Sequence, residues 1–140
     1  MSNSPTPITL SITINKPIQT VWKIWTTPAD IMQWNIPFED WHCPRVVNNV
    51  TAGGTFLFRM EAKNGSVGFD HAGKYDKVIL NELIEYTAND GRRSSIMFIP
   101  RGNTTLVRET FEPEKENSIE MQRDFCQAVL NNFKRHTEKE

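Results

Sequence analysis

The sequence has no apolar run longer than four residues (96–99), so no stretch of it can cross a bilayer as a helix. It has no excess of one charge. Sixteen basic and 17 acidic residues leave a formal net charge of −1, without the basic stripe of a nucleic-acid binder or the basic amphipathic segment of a membrane-surface protein. Cysteine is scarce: Cys43 and Cys126 stand far apart, and residues 1–7 lack a charged and apolar leader. The expectation is therefore two free thiols in a reducing cytoplasm. Catalytic signatures are also missing. There is no nucleophile elbow, no glycine loop followed by lysine and no paired helical histidines, so no cofactor and no metal are expected. Gly53-Gly54 reads as a hairpin turn, because no helix follows it to hold a phosphate.

The 140 residues, 38% hydrophobic and 24% charged, suit one domain over 1–140 that buries roughly two-thirds of its chain surface. Residues 1–7, with two prolines, are expected to be flexible. The longest helical pattern lies at the other end. Asn117 is placed as N-cap with Glu120 closing a capping box. Ile119, Gln122, Cys126, Val129 and Phe133 form an apolar stripe that Phe125 and Leu130 widen, and His136 falls in a fraying tail.

Strict alternation of Ile8, Leu10, Ile12 and Ile14 with Thr9, Ser11 and Thr13 predicts a half-buried strand. Pro17 opens a first helix with Ile18, Val21, Trp22 and Trp25 on one face. Thr27-Pro28-Ala29-Asp30 opens a second, with Thr27 as cap and Asp30 completing its box. From Asp40 to Thr110, turn signals recur at Gly53-Gly54, Asn64-Gly65, Asn81-Glu82, Asn89-Asp90-Gly91 and Arg101-Gly102-Asn103. The grouping is α+β. It predicts a curved antiparallel sheet of about six to seven strands around a long C-terminal helix, with two short helices after strand 1, enclosing a filled core or a pocket.

His71 shares a strand face with Phe69. Turned inward it is a candidate general acid or base; otherwise it is an edge or backbone-satisfied histidine. Glu109 shares a face with Val107 and Phe111. If that face is buried, the carboxyl must be paired or protonated; a bulge or an opening would return it to solvent. His42-Cys43 is not read as a metal site, since adjacent strand residues point to opposite faces. Trp22 and Trp25 are expected to pack on the sheet, whereas Trp34 and Trp41 flank the loop of residues 35–40. Phe56, Phe58, Phe69, Tyr75 and Phe98 are either pocket walls or core.

The segment Val21 to Trp34, VWKIWTTPADIMQW, resembles the signature of the START-like superfamily, within it the domains similar to the C-terminal part of the activator of the heat-shock protein 90 ATPase. Trp41-His-Cys-Pro44, Gly53-Gly54, Phe69 to Tyr75, Asn81 to Tyr86, Gly102 to Thr105, Thr110-Phe-Glu112 and Leu130-Asn-Asn-Phe133 continue the pattern, which spans about residues 8–136. The resemblance implies a helix-grip fold with a cavity between helix and sheet, in a group that includes polyketide cyclases, lipid and hormone binders and a chaperone regulator. It also implies a Gly-Trp pair where this chain has Phe125-Cys126, so these two residues either reshape the cavity or Phe125 fills the space of the indole.

The leading expectation is a protein that binds a small apolar, lipid- or polyketide-like molecule, as a monomer or homodimer. The alternatives are a chaperone-regulating module and a cyclase-like or hydrolytic enzyme using Glu109 or His71.

Overall fold

A computed structural model describes residues 6–140; of the segment expected to be flexible, residues 1–5 lie outside that range. Ile8, Leu10 and Ile14 turn inward from strand β1 (Ile8–Ile14), as the alternation requires, while Thr9 and Ser11–Thr13 flank them at lower burial. Helix α1 (Ile18–Thr26) buries Val21, Trp22 and Ile24. Pro17 is its N-cap rather than its first helical residue, with ψ at 160°, because its carbonyl already accepts from Val21 while its own backbone stays extended. Helix α2 (Pro28–Trp34) follows at once. The expected capping box at its start does not form. The Thr27 hydroxyl donates backward to the Lys23 carbonyl at 2.6 Å, closing α1 instead, and Asp30 turns away to pair with His136.

Six strands then run as a meander: β2 (Trp41–Asn48), β3 (Thr55–Ala62), β4 (Gly68–Ile79), β5 (Leu83–Ala88), β6 (Arg93–Arg101) and β7 (Thr104–Phe111). Every pairing is antiparallel and the order is β1-β7-β6-β5-β4-β3-β2. Gly53, Gly65, Asn81, Gly91 and Gly102 adopt positive φ, one in each of the five turns that the sequence marks. Register shifts in β2 between His42 and Arg45, and in β4 between Tyr75 and Lys77, curl the sheet. At Gly73 the backbone of β4 runs close to β5, and a Cβ there would sit 2.4 Å from the Thr87 carbonyl oxygen.

Helix α3 (Ile119–Glu138) lies in the curl. Its cap is Ser118, one residue beyond the position expected: the Ser118 hydroxyl accepts from Met121 N–H at 3.0 Å, whereas Asn117 gives its own N–H to the Glu114 carboxylate. The first turn stands clear of the sheet. Ile119 is 46% exposed in place of the expected burial, and the inward stripe runs through Gln122, Leu130, Phe133 and Thr137. Phe133 anchors it, with ring centroids 4.9 Å from Trp25 and 4.8 Å from Trp34. Truncating such a ring to alanine costs about 3–5 kcal/mol. His136 does not fray. Its Nε2 lies 3.0 Å from Asp30 Oδ1 because α2 packs beside the last turns of α3.

Candidate functional site

The curl of the sheet and the face of α3 do not meet everywhere. Between them lies a cavity of about 510 Å³, in the size range of small-molecule sites. Its inner walls follow from strand alternation. Phe56, Phe58 and Met60 come from β3, His71 and Tyr75 from β4, Ile84 and Tyr86 from β5, Ser94 and Ile96 from β6, and Glu109 and Phe111 from β7. Phe125, Cys126, Val129 and Leu130 of α3 face them, and Trp25 and Trp34 close one end. Phe69, at 43% exposure, and Met121, at 58%, stand at the mouth with Arg92 and the segment carrying Glu112, Glu114 and Glu116.

Glu109 is the chemically distinctive group. In the ladder it sits between Leu10 of β1 and Ile96 of β6, two buried aliphatic residues on the same side of the sheet. Among the described residues its carboxyl finds no hydrogen-bond partner, and burial alone pushes its pKa up to about 7. Tyr86, its neighbour in the cavity, carries a phenol held above its usual range by burial and then by the Glu109 charge, so it remains a hydrogen-bond donor. The Tyr86 hydroxyl lies 3.3 Å from His71 Nε2. Burial, then the nearby Arg92 cation, lowers the His71 imidazole to about 4, leaving it neutral at neutral pH. Cys126 is also raised by burial, so its thiol stays protonated and is a poor nucleophile.

Tyr75 is held too. Its hydroxyl donates to Asn48 Oδ1, and Asn48 Nδ2 donates in turn to the Thr26 carbonyl at 2.9 Å, fixing β4 and β2 to the end of α1. Trp34 Nε1 donates to the Ile24 carbonyl at 3.0 Å, which presents only the apolar part of the indole to the cavity. At the mouth, Gln122 orders the segment that precedes α3: its Oε1 accepts from Glu114 N–H at 2.9 Å, and its Nε2 donates to the carbonyls of Glu114 at 3.1 Å and Asn117 at 2.9 Å.

Of the residues singled out from sequence, Trp34, Phe56, Phe58, Phe69, His71, Tyr75, Glu109, Phe125 and Cys126 line this space, and two do not. Trp41 braces the mouth from outside, 6.0 Å from both Phe69 and Phe125, because it begins the edge strand β2. Phe98 is core, covered by Trp22 at 5.1 Å and Trp25 at 5.8 Å. Trp25, Tyr86, Ser94, Arg92 and Gln122 were not anticipated as lining. Alternation in Ile84-Glu85-Tyr86 and Ser94-Ser95-Ile96 carried a signal for Tyr86 and Ser94, and the helical stripe carried one for Gln122; Arg92 had none.

Two other groupings lie elsewhere. His42 Nε2 pairs with Glu61 at 3.2 Å while Cys43 is buried on the opposite face, and both cysteines are free. Asp30, His136 and Glu140 bring possible ligand atoms within 4.8 Å of one another at the far end of α3, where the hydrogen bond between His136 and Asp30 already accounts for their approach. No helix among the described residues is long and apolar enough to cross a membrane.

Solved structures share this architecture. An AHSA1-like protein from Aeromonas hydrophila superposes with a TM-score of 0.84 at 34% identity, over 94% of this chain and 93% of that one. A protein from Cytophaga hutchinsonii gives 0.82 at 46% identity, over 99% and 94%. A protein from Chromobacterium violaceum gives 0.85 at 20% identity, over 96% and 98%, a likeness of fold alone. No curated protein matches the chain. The family described as Activator of Hsp90 ATPase homolog 1-like protein matches residues 15–138, so this helix-grip chain belongs to that family, consistent with the START-like superfamily.

Proposed function

We propose that the chain binds one small, mostly apolar molecule between α3 and the sheet. The observation that carries this reading is the cavity of about 510 Å³, walled by aromatic and aliphatic side chains around a few polar groups. Cores ordinarily close such space, because an unfilled void forfeits packing contacts. Here β3, β4, β5, β6 and β7 all point side chains into it and α3 leaves it open. The test is thermal unfolding with 1-octanol as probe. Binding to the folded state raises the midpoint with the logarithmic concentration dependence of linkage, and Phe56→Ala or Tyr86→Phe changes the dependence. A midpoint that stays fixed or falls at every octanol concentration overturns the reading.

A second reading is contact with an Hsp90-type chaperone. The family description supports it, and so do Ile79, Leu80 and Met97, at 37%, 70% and 42% exposure on and beside the outer face of the sheet. A purified chaperone's ATPase rate would then respond to the protein and lose that response in Leu80→Asp; an unchanged rate with the native protein removes this reading.

A further inference from the structure

We propose that the cavity selects a hydrophobic amine, an apolar body carrying one protonated nitrogen that docks against Glu109. This deepens the binding reading above and rests on it.

The first support is the state of Glu109. A carboxyl flanked in register by Leu10 and Ile96, inside a cavity and without a partner among the described residues, is an acceptor waiting for a donor. Two carboxylates nearer the mouth differ. Glu112 accepts from Arg93 N–H at 2.6 Å and faces its guanidinium Nε at 3.3 Å, and Glu114 accepts from Asn117 N–H at 2.6 Å. Glu109 is half-buried and its carboxyl opens on the cavity, so a donor that enters the space can reach it.

The second support is the sign of the surroundings. Four glutamates, Glu109, Glu112, Glu114 and Glu116, line the cavity and its mouth against one lining cation, Arg92, with Glu112 also paired to Arg93. Arg92 is itself tied to Asp90 at 2.7 Å, which reduces its pull on an anion. His71 is neutral near pH 7 and adds no positive charge. A fatty acid would meet repulsion at the mouth and a second carboxyl at the floor. An ammonium group meets more acidic than basic side chains at the mouth and the unpartnered Glu109 within.

The third support is the wall itself. Phe56, with ring centroids 5.1 Å from Tyr75 and 4.9 Å from Tyr86, belongs to a connected set of aromatic faces. Such faces attract a cation as well as an alkyl chain. The groups that face Glu109 are Leu10 from β1, Ile96 from β6, Tyr86 from β5 and Cys126 from α3. Tyr86 and Cys126 are both held protonated, so neither competes for the amine as a base.

Docking changes the protonation of the site in a defined way. Below about pH 7 the free protein holds a proton on Glu109. An incoming ammonium ion stabilises the carboxylate, so binding releases that proton and affinity rises as pH increases towards 7. The balance is simple: one cation enters and one proton leaves.

The experiment is calorimetric titration of the full chain and of Glu109→Gln, at pH 6, with n-octylamine, 1-octanol and octanoate. Each titration is repeated in two buffers of different ionisation enthalpy, with folding of the variant checked by thermal unfolding. The expected result is octylamine binding about tenfold or more tighter than octanol, octanoate weakest, and proton release only with octylamine. Glu109→Gln brings the ratio of octylamine to octanol affinity close to one and removes the proton release. Equal affinity for amine and alcohol in the native protein, or an amine preference that persists in Glu109→Gln, overturns the charge selection while octanol binding still upholds the cavity. Octanoate as the tightest ligand overturns it too. No binding of any of the three overturns this inference and the binding reading together.

Discussion

The hydroxyl of Tyr86 and the imidazole Nε2 of His71 lie 3.3 Å apart, joining β5 to β4 across the cavity wall. Both partners are neutral at neutral pH, one with its ionisation pushed up and the other with its protonation pushed down. Tyr86 also feels the charge of Glu109, whose burial acts in the opposite sense to that of His71.

The opposition sets a pH signature. Glu109 goes from about 4.5 unfolded to about 7 folded, so its contribution is fully present below pH 4.5 and is lost as pH rises to 7. His71 goes from 6.5 unfolded to about 4 folded, so its contribution is present above pH 6.5 and is lost as pH falls to 4. Each amounts to about 3 kcal/mol at most, and less where the cavity admits water. Between pH 4.5 and 6.5 the two nearly cancel. Urea unfolding of Glu109→Gln should show stability rising with pH across that window relative to the native protein, and His71→Gln should show it falling. Parallel profiles for the three proteins would contradict the burial of both groups.

How the cavity could be read from sequence is clearest at Glu109. Alternation with Val107 and Phe111 put it on the inner face of β7. Its isolation, however, depends on Leu10 and Ile96 arriving beside it from strands far away in sequence. The turns from Gly53 to Gly102 fixed the meander, because positive φ is a local demand that glycine and asparagine meet. Phe98 and Trp41 resisted: an inward side chain is core or pocket wall according to which helix covers it, and Trp22 of α1 covers Phe98. The cap of α3 slipped from Asn117 to Ser118 because Glu114 offered Asn117 a competing acceptor.

Cys126 is where an indole would enter the cavity. Cys126→Trp should fold with a midpoint within a few degrees of the native protein, since the side chain, packed on Ile8, Leu10 and Leu130 at one side, has the open cavity to grow into at the other. It should lose the stabilisation by octanol. Thermal scans with and without octanol decide this, and a folded variant that keeps the full octanol shift would show that the probe sits elsewhere.

Thr137 is completely buried in the last turns of α3, and its hydroxyl has no partner among the described residues. Thr137→Val keeps the shape and removes an unmet polar group, so it should stabilise by about 1 kcal/mol. Urea unfolding measures it. A loss of stability would mean the hydroxyl is satisfied in solution.

Gln122 holds the segment between β7 and α3 by three hydrogen bonds to Glu114 and Asn117. Gln122→Ala should destabilise by about 1–3 kcal/mol and speed amide exchange at Glu114 more than at the centre of β7. Uniform acceleration across the chain would assign Gln122 a global packing role instead.

The most direct test of the account is an amide and side-chain NMR titration of the native protein with 1-octanol. Octanol in the cavity should give saturable shift changes concentrated at Phe56, Tyr86, Glu109, Cys126 and Val129, with contacts from the octanol chain to the rings of Phe56 and Tyr86. Changes confined to Ile79, Leu80 and Met97 on the outer face, or no saturable change at all, would contradict it.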